Sequence, residues 1–165
     1  MSQYPTYYQD AEDSFVDLIE KRLAKDGVTA TVKHYSGDAN SADALEQLMS
    51  DVENSPRVLV GVAGKTTEGG ASDSRFRQEN LRIEVWVATS SHRQKEGPVH
   101  KAYPIISSVE QALIGKTGLV YRDPNVKERN AVLGGDFERR EDLPHFVVFL
   151  LPFTVLVNRA LDDDC

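Results

Sequence analysis

A glycine–lysine–threonine run follows a short apolar segment and resembles the end of a phosphate-binding loop. The run is Gly64, Lys65 and Thr66. The complete motif needs a glycine five positions before the second one, where this sequence has Leu59, and it needs a helix directly afterwards. The next residues, Thr67–Ser74, are rich in glycine and serine and do not favour a helix. We therefore interpret the run as part of an exposed hairpin loop.

No other group of residues has the spacing of a catalytic or metal site. The four histidines lack helical zinc-site spacing, and the single cysteine, Cys165, ends an acidic tail. A nuclease of the restriction-enzyme type needs an acidic residue two positions before a lysine, and no lysine here has one. A late group of carboxylates and arginines is typical of a solvated loop. It comprises Asp136, Glu138, Arg139, Arg140, Glu141 and Asp142. The sequence thus predicts no catalytic residues, no cofactor and no bound metal.

The densest basic grouping surrounds an aromatic residue. It comprises Lys65, Arg75, Phe76, Arg77 and Arg82. Such a set would suit either a nucleic-acid patch or a contact between subunits, where arginine and aromatic residues are enriched. We favour the subunit contact because the whole chain carries a net charge of -7, which opposes tight binding to phosphates.

Composition limits the classes of protein that the chain can be. Its 165 residues suit one domain, and 40% hydrophobic with 27% charged residues is ordinary for a globular protein. No apolar stretch approaches the roughly 18 residues of a membrane span, and the N-terminus lacks the pattern of a secretory signal. A lone cysteine allows no disulfide within the chain. We therefore expect a soluble cytoplasmic chain without a membrane partner.

Hydrophobic periodicity predicts helices and strands in the first half of the chain. Residues 1–9 have no periodicity and are predicted to form a flexible arm. A helix is predicted from Asp10 to a glycine cap at Gly27, and a half-buried strand at Val28–Tyr35. A second helix is predicted after Asn40, ending before Pro56.

Two strands joined by a long loop are predicted next. Arg57–Ala63 is nearly continuously apolar, which indicates a strand buried on both faces. Arg77–Ser90 alternates, with Leu81, Ile83, Val85 and Val87 on one face. The glycine-rich segment Gly64–Ser74 between them predicts a long-looped hairpin.

The second half of the chain is predicted to contain a helix, short strands and a long final strand. The helix begins at Pro98 and ends at Gly115, and Pro104 either kinks it or delays its start. Its core stripe is predicted as Val99, Tyr103, Ile106, Val109 and Leu113. The turn-rich segment Gly118–Asp142 has candidate short strands at Leu119–Arg122 and Asn130–Leu133.

The final strand is predicted at Phe146–Val157, and Pro152 within it indicates an edge or a bulge. Residues 159–165 are predicted to form an acidic tail. The order of elements predicts an α+β (α/β) fold with a single mixed β-sheet flanked by helices and a long hairpin loop. We expect one domain spanning residues 1–165.

Taken together, these elements resemble the tail-terminator, or tail-completion, proteins of Mu-like and other long-tailed bacteriophages. Three segments carry the resemblance: Val58–Gly64 (VLVGVAG), Gln78–Val87 (QENLRIEVWV) and Tyr103–Gly115 (YPIISSVEQALIG). An amphipathic helix precedes them and an apolar strand follows them. The long Gly64–Ser74 loop, the extended Gly118–Asp142 segment and Pro152 depart from the family pattern.

The resemblance implies a structural role in a virion. Such proteins form a ring, usually a hexamer, that caps the tail tube, stops its polymerisation and offers a docking face to the neck of the head. The implied partners are other copies of the chain, the tail tube protein, neck or head-completion proteins and, in contractile tails, the sheath. DNA would pass through the channel without being gripped, since acidic walls repel it. The implied location is the tail or neck of a virion assembled in the host cytoplasm.

Three segments are predicted to make the contacts between subunits. They are the Tyr4–Tyr8 arm, the Gly64–Arg77 loop and the Gly118–Asp142 segment. The individual residues are Tyr7, Tyr8, Lys65, Arg75, Phe76, Arg77, Asp136, Arg139 and Arg140. Three alternatives stay open. The first is another neck component, such as a head-completion or connector subunit. The second is a small nucleotide-binding or nuclease enzyme that would use Lys65 or the Asp136 and Glu138 carboxylates. The third is a host-encoded interaction module, for which the sequence offers no positive feature.

Overall fold

The computed structural model describes residues 7–34, 56–68, 76–90, 97–117, 119, 121–122, 126–127, 131–143 and 146–160. In chain order, the elements are α1 (Tyr7–Asp26), β1 (Thr31–His34), β2 (Arg57–Glu68), β3 (Phe76–Ser90), α2 (Pro98–Leu113), β4 (Val126–Lys127), β5 (Val132–Gly134), β6 (Glu138–Leu143) and β7 (Phe146–Ala160). The predicted helix after Asn40 lies outside the described residues.

The seven described strands form one mixed sheet. Strand β1 pairs parallel with β2, whereas β2–β3 and β3–β7 are antiparallel. The fifteen-residue strands β3 and β7 are paired along their whole length. Strands β4, β5 and β6 pair one after another with the other side of β7. The predicted α+β fold with a single mixed sheet is therefore confirmed.

The core lies between the two helices and one face of the sheet. The predicted alternation of β3 is confirmed, because Leu81, Ile83, Val85 and Val87 are all fully buried in this core. From α1, the Phe15 ring meets the Phe153 ring of β7 edge-on, with centroids 5.9 Å apart. The buried apolar residues of α1 recur every four positions, which places them in one stripe; they are Tyr7, Ala11, Phe15, Ile19 and Leu23.

Helix α1 begins earlier than the sequence indicates. It starts at Tyr7, so residues 7–9 of the predicted arm are helical, and residues 1–6 lie outside the described part. The predicted cap at Gly27 is confirmed by its positive φ of 68°. The amide of Gly27 donates to Ala24 and that of Val28 to Leu23, at 3.3 and 2.9 Å, which is the Schellman arrangement.

A short polar network joins the end of α1 to α2. The Asp26 carboxylate accepts hydrogen bonds from Ser108 Oγ at 2.7 Å and from Arg22 Nε at 2.9 Å. Those two hydrogen bonds hold the pKa of Asp26 below its usual value. Arg22 also donates to Gln111 on α2. These contacts fix the angle between the helices at the end far from Tyr7.

Strand β2 of the β2–β3 hairpin extends further than predicted. It continues to Glu68, so residues 64–68 of the predicted Gly64–Ser74 loop belong to β2, and residues 69–75 lie outside the described part of the chain. The polar stretch from Gly64 to Glu68 is held by pairing with β3. A bulge at Ala63 separates the pairs Val62–Ile83 and Gly64–Arg82. Because of this extra residue, the side chains of β2 after the bulge change the face of the sheet on which they lie.

Helix α2 begins at Pro98 as predicted and ends at Leu113, two residues before the predicted Gly115, with Pro104 inside it. Of the predicted core stripe, Ile106, Val109 and Leu113 are buried, which confirms that part of the prediction. Tyr103, predicted to face the core, is instead 48% exposed. The buried apolar residues of the helix are Ala102, Ile105, Ile106, Val109 and Leu113.

The sheet edge opposite β1 differs most from the sequence-based expectation. Leu119–Arg122 contains no strand among its described residues, and the Asn130–Leu133 prediction corresponds to the shifted β5. The charged run predicted as a solvated loop forms β6 instead, because β7 offers it a ladder of backbone groups. At the C-terminus, residues 159 and 160 of the predicted tail belong to β7.

Pro152 of β7 lies opposite the gap between β5 and β6. Strand β7 is central, not an edge strand as Pro152 suggested. The Pro152 carbonyl accepts from the Gly135 amide at 2.9 Å, so its missing N–H also faces the outer side. Residues 135–137 there separate β5 from β6, and the ladder therefore loses little.

Candidate interface surfaces

A tyrosine–lysine cluster, defined here as Tyr7, Tyr8, Lys65 and Glu79, joins the start of α1 to the β2–β3 hairpin. It lies at the end of the hairpin where β2 ends and β3 begins. Tyr7 is fully buried and its hydroxyl donates to the Glu79 carboxylate. Lys65 Nζ lies 3.2 Å from Glu79 Oε1 and 5.5 Å from the centre of the Tyr8 ring. The rings of Tyr7 and Tyr8 are 4.2 Å apart. The bulge at Ala63 puts Lys65 on the helix-facing side of the sheet, where it can reach Glu79.

The electrostatics of this cluster keep each proton in place. Burial, followed by the hydrogen bond to Glu79, raises the pKa of Tyr7 far above its ordinary value. Hydrogen bonding to Tyr8 and to Glu79 raises the pKa of Lys65 against the opposing effect of burial. Tyr7 therefore stays neutral and Lys65 stays charged at neutral pH. The arrangement binds α1 to the β2–β3 hairpin.

An acidic edge, defined here as Glu12, Asp13 and Asp17, lies beside β1. From Tyr7 to Glu20, α1 has five acidic residues and no basic one. Glu12 Oε1 accepts from the amide of Val62, and its Oε2 lies 3.5 Å from His34 Nδ1. Asp13 Oδ1 lies 3.1 Å from His34 Nε2. The side chains of Asp13 and Asp17 are 51% and 57% exposed.

An aromatic edge lies on the opposite side of the sheet and is defined here as Tyr103, Phe137, Arg139 and Phe149. The Phe149 ring of β7 is the centre, with Phe137 at 5.8 Å and Tyr103 at 6.5 Å between centroids. The Arg139 guanidinium lies 5.6 Å from the same ring. Phe149 is buried, whereas Tyr103 and Phe137 are 48% and 45% exposed. Large aromatic side chains this exposed are typical of a binding surface.

The residues predicted as contacts fall into two places. Tyr7, Tyr8 and Lys65 meet in the tyrosine–lysine cluster, although the burial of Tyr7 makes it a core residue of the single chain. Phe76 and Arg77 lie on β3 at the same end of the sheet, and Arg75 lies outside the described residues.

The other predicted contacts lie at the outer edge. Arg139 belongs to the aromatic edge and Arg140 to the same strand, while Asp136 is exposed between β5 and β6. Arg82, from the basic grouping, is exposed and paired with Glu84 at 2.8 Å. The basic grouping is therefore not one patch, because Lys65 faces α1 and Arg82 points to the opposite side of the sheet.

Sequence reasoning missed Glu79, the acidic edge and the aromatic side chains of the aromatic edge. Glu79 could have been found, because it continues the buried alternation of Leu81, Ile83 and Val85, where a carboxylate needs a partner. No comparable sequence signal exists for Tyr103 and Phe137. Both rings contact the Phe149 ring, and these contacts depend on how α2 crosses the edge of the sheet.

No metal or membrane feature is found in the part of the chain that the structure describes. Within it, no three His, Cys, Asp or Glu side chains are grouped so that they could hold a metal ion. Among the described helices, none is both long and apolar enough to span a membrane.

The two helices and the mixed sheet define an α+β protein, and the same fold occurs in a virion component. A chain of the virion of a native gene transfer agent particle aligns with 95% of this chain and 99% of its own length, at 14% sequence identity and a TM-score of 0.56. Two chains from Akkermansia muciniphila, one of them without its transmembrane region, align with TM-scores of only 0.30 and 0.33 at 10% sequence identity. These alignments include 100% of this chain, and 90% and 83% of the two other chains. No protein-family model matches the sequence, and no curated protein matches it.

Proposed function

We propose that the chain is a structural protein of a phage-like virion that forms a ring on the end of the tail tube. The ring stops tube growth and presents a docking face to the neck. The observation that carries the proposal is the shared fold, because a chain of a gene transfer agent virion aligns with nearly the whole of this one. The order of elements independently resembles tail-terminator proteins.

Two features of the chain support a ring. A ring is built from heterologous contacts, in which two different surfaces of one subunit meet those of its neighbours. The acidic edge beside β1 and the aromatic edge beside β6 differ in chemistry and lie at opposite sides of the sheet. The net charge of -7 also suits the wall of a channel through which DNA passes without being held.

The proposal is tested with purified tube protein of the same particle. Tube protein is polymerised with and without this chain, and the tubes are imaged. We expect rings at one end of each tube and tubes that stop elongating. Portal or adaptor protein in place of tube protein is the matched control. Binding to portal or adaptor protein alone would identify a neck component, and untouched tube growth would contradict the proposal.

A further inference from the structure

The two edges lie where successive subunits of a ring would meet. Helix α1 packs over β1 and β2, whereas α2 packs over β3, β5 and β7. The acidic edge on α1 and the aromatic edge between α2 and β6 are thus separated by the width of the sheet. A contact between these edges in two copies leaves one free edge of each kind, so it can repeat until the ring closes.

The aromatic edge has the composition of an interface centre. Tyrosine, phenylalanine and arginine are enriched in such centres, because their large side chains exclude water around charged contacts. A further exposed apolar side chain is Ile114, which follows α2 directly as its C-cap residue. Ile114, 50% exposed, packs against the bare backbone of Gly134 on β5.

Two carboxylates of the acidic edge each have one partner within the chain, since Asp13 lies 3.1 Å from His34 and Asp17 lies 2.7 Å from Lys21. Both side chains are still about half exposed, so their open sides can meet a cation of a neighbouring copy. Asp13 and Asp17 are four residues apart, so both project from the same outer face of α1. Arg139 is the cation of the aromatic edge, and its position over the Phe149 ring fixes where the guanidinium lies.

We propose that adjacent subunits join by placing Asp13 and Asp17 of one copy against Arg139, Tyr103 and Phe137 of the next. The occupant of the aromatic edge is therefore a second copy of this chain. The inference rests on the proposed function, since only a closed assembly uses both edges of every subunit. Opposite charges across the contact set its register, while the aromatic side chains exclude water from it.

Charge reversal on either edge tests the contact. The first variant carries Asp13→Lys and Asp17→Lys, and the second carries Arg139→Glu. Each variant alone places like charges against each other, and we expect the concentration needed for ring formation to rise about tenfold or more. Masses are measured by light scattering, on tube ends if wild-type rings form only there. Arg82→Glu, on the other face of the sheet, is the matched control and should form rings as the wild type does.

Mixing the two variants makes the test specific. In a mixture, the lysines introduced on the acidic edge of one variant face the carboxylate that Arg139→Glu introduces in the other. We expect alternating rings to form at near wild-type concentrations. Circular dichroism of each variant is the control for folding. Rings from either variant alone at the wild-type concentration, or folded variants that fail to form rings when mixed, would overturn the pairing while leaving the ring proposal intact. A wild-type chain that forms no ring alone or on tubes would overturn both.

Discussion

Glu79 is a carboxylate with 1% of its surface exposed, and two side chains from other elements compensate it. Tyr7 donates a hydrogen bond to it from α1, and Lys65 supplies a cation from β2. Neither partner is close in sequence, so the cluster forms only when α1 docks on the hairpin. Lys65 therefore stabilises the fold, which differs from the phosphate-binding role that its Gly-Lys-Thr context first suggests.

Removing the Lys65 cation should destabilise the chain more than removing a surface lysine. Lys65→Met leaves Glu79 buried with one partner, and we expect a loss of about 1–3 kcal/mol in the free energy of unfolding. Lys21→Met is the control, because its pair with Asp17 is exposed and should contribute at most about 1 kcal/mol. Urea denaturation measures both variants. Equal losses in the two would contradict the role of Lys65.

One buried and one partly buried tyrosine should make the stability of the fold depend on pH above 10. Burial, with a smaller contribution from the Asp10 charge, raises the pKa of Tyr121 to about 12, and the pKa of Tyr7 is also raised. The two tyrosine hydroxyls ionise near pH 10 in the unfolded chain and at a higher pH in the folded chain. The contribution of these two side chains to stability is therefore complete below pH 10. It is lost as pH rises toward 12.

Absorbance at 295 nm follows this ionisation directly. We expect Tyr7 and Tyr121 to stay protonated at pH 11 while circular dichroism still reports the folded state. Tyr121→Phe should make the loss of stability above pH 10 less steep. Ionisation of all six tyrosines near pH 10 in the folded chain would show that the two side chains are not buried as described.

Elements with a strong internal pattern could be predicted from the sequence, and those formed by pairing could not. The buried alternation of β3 and the helix-ending Gly27 are local signals, and the structure confirms both. Strand β6 has the sequence ERREDL, which has no apolar alternation, so its pairing with β7 is what makes it a strand. The same reason explains why Arg139 could be predicted as a contact residue while its place over the Phe149 ring could not.

The cap of α1 gives a prediction at the level of one element. Gly27 has a positive φ of 68° and nothing within 4 Å of an added Cβ, so Gly27→Ala would meet only backbone strain. We expect a loss of about 1 kcal/mol in the free energy of unfolding. Gly64→Ala is the control, because Gly64 has no positive φ and equally open space around an added Cβ. A loss no larger at Gly27 than at Gly64 would contradict the left-handed cap.

At the scale of the whole molecule, the exposed aromatic side chains separate assembly from folding. Tyr103→Ser together with Phe137→Ser removes half-exposed side chains, and we expect the free energy of unfolding to change by only about 1 kcal/mol. Ring formation should weaken strongly, because aromatic centres dominate interface energies. Thermal unfolding and light scattering measure the two effects. Unchanged assembly, or unfolding of the chain, would show that these side chains serve another purpose.

The solution mass of the chain, with and without polymerising tube protein, tests the central claim most directly. A hexameric ring would have a mass of about 110 kDa, against 18.4 kDa for one chain. The account predicts rings, free or on the ends of tubes, and tubes that no longer grow at the capped end. A chain that stays at 18.4 kDa under both conditions, while the tubes elongate as they do alone, would contradict it.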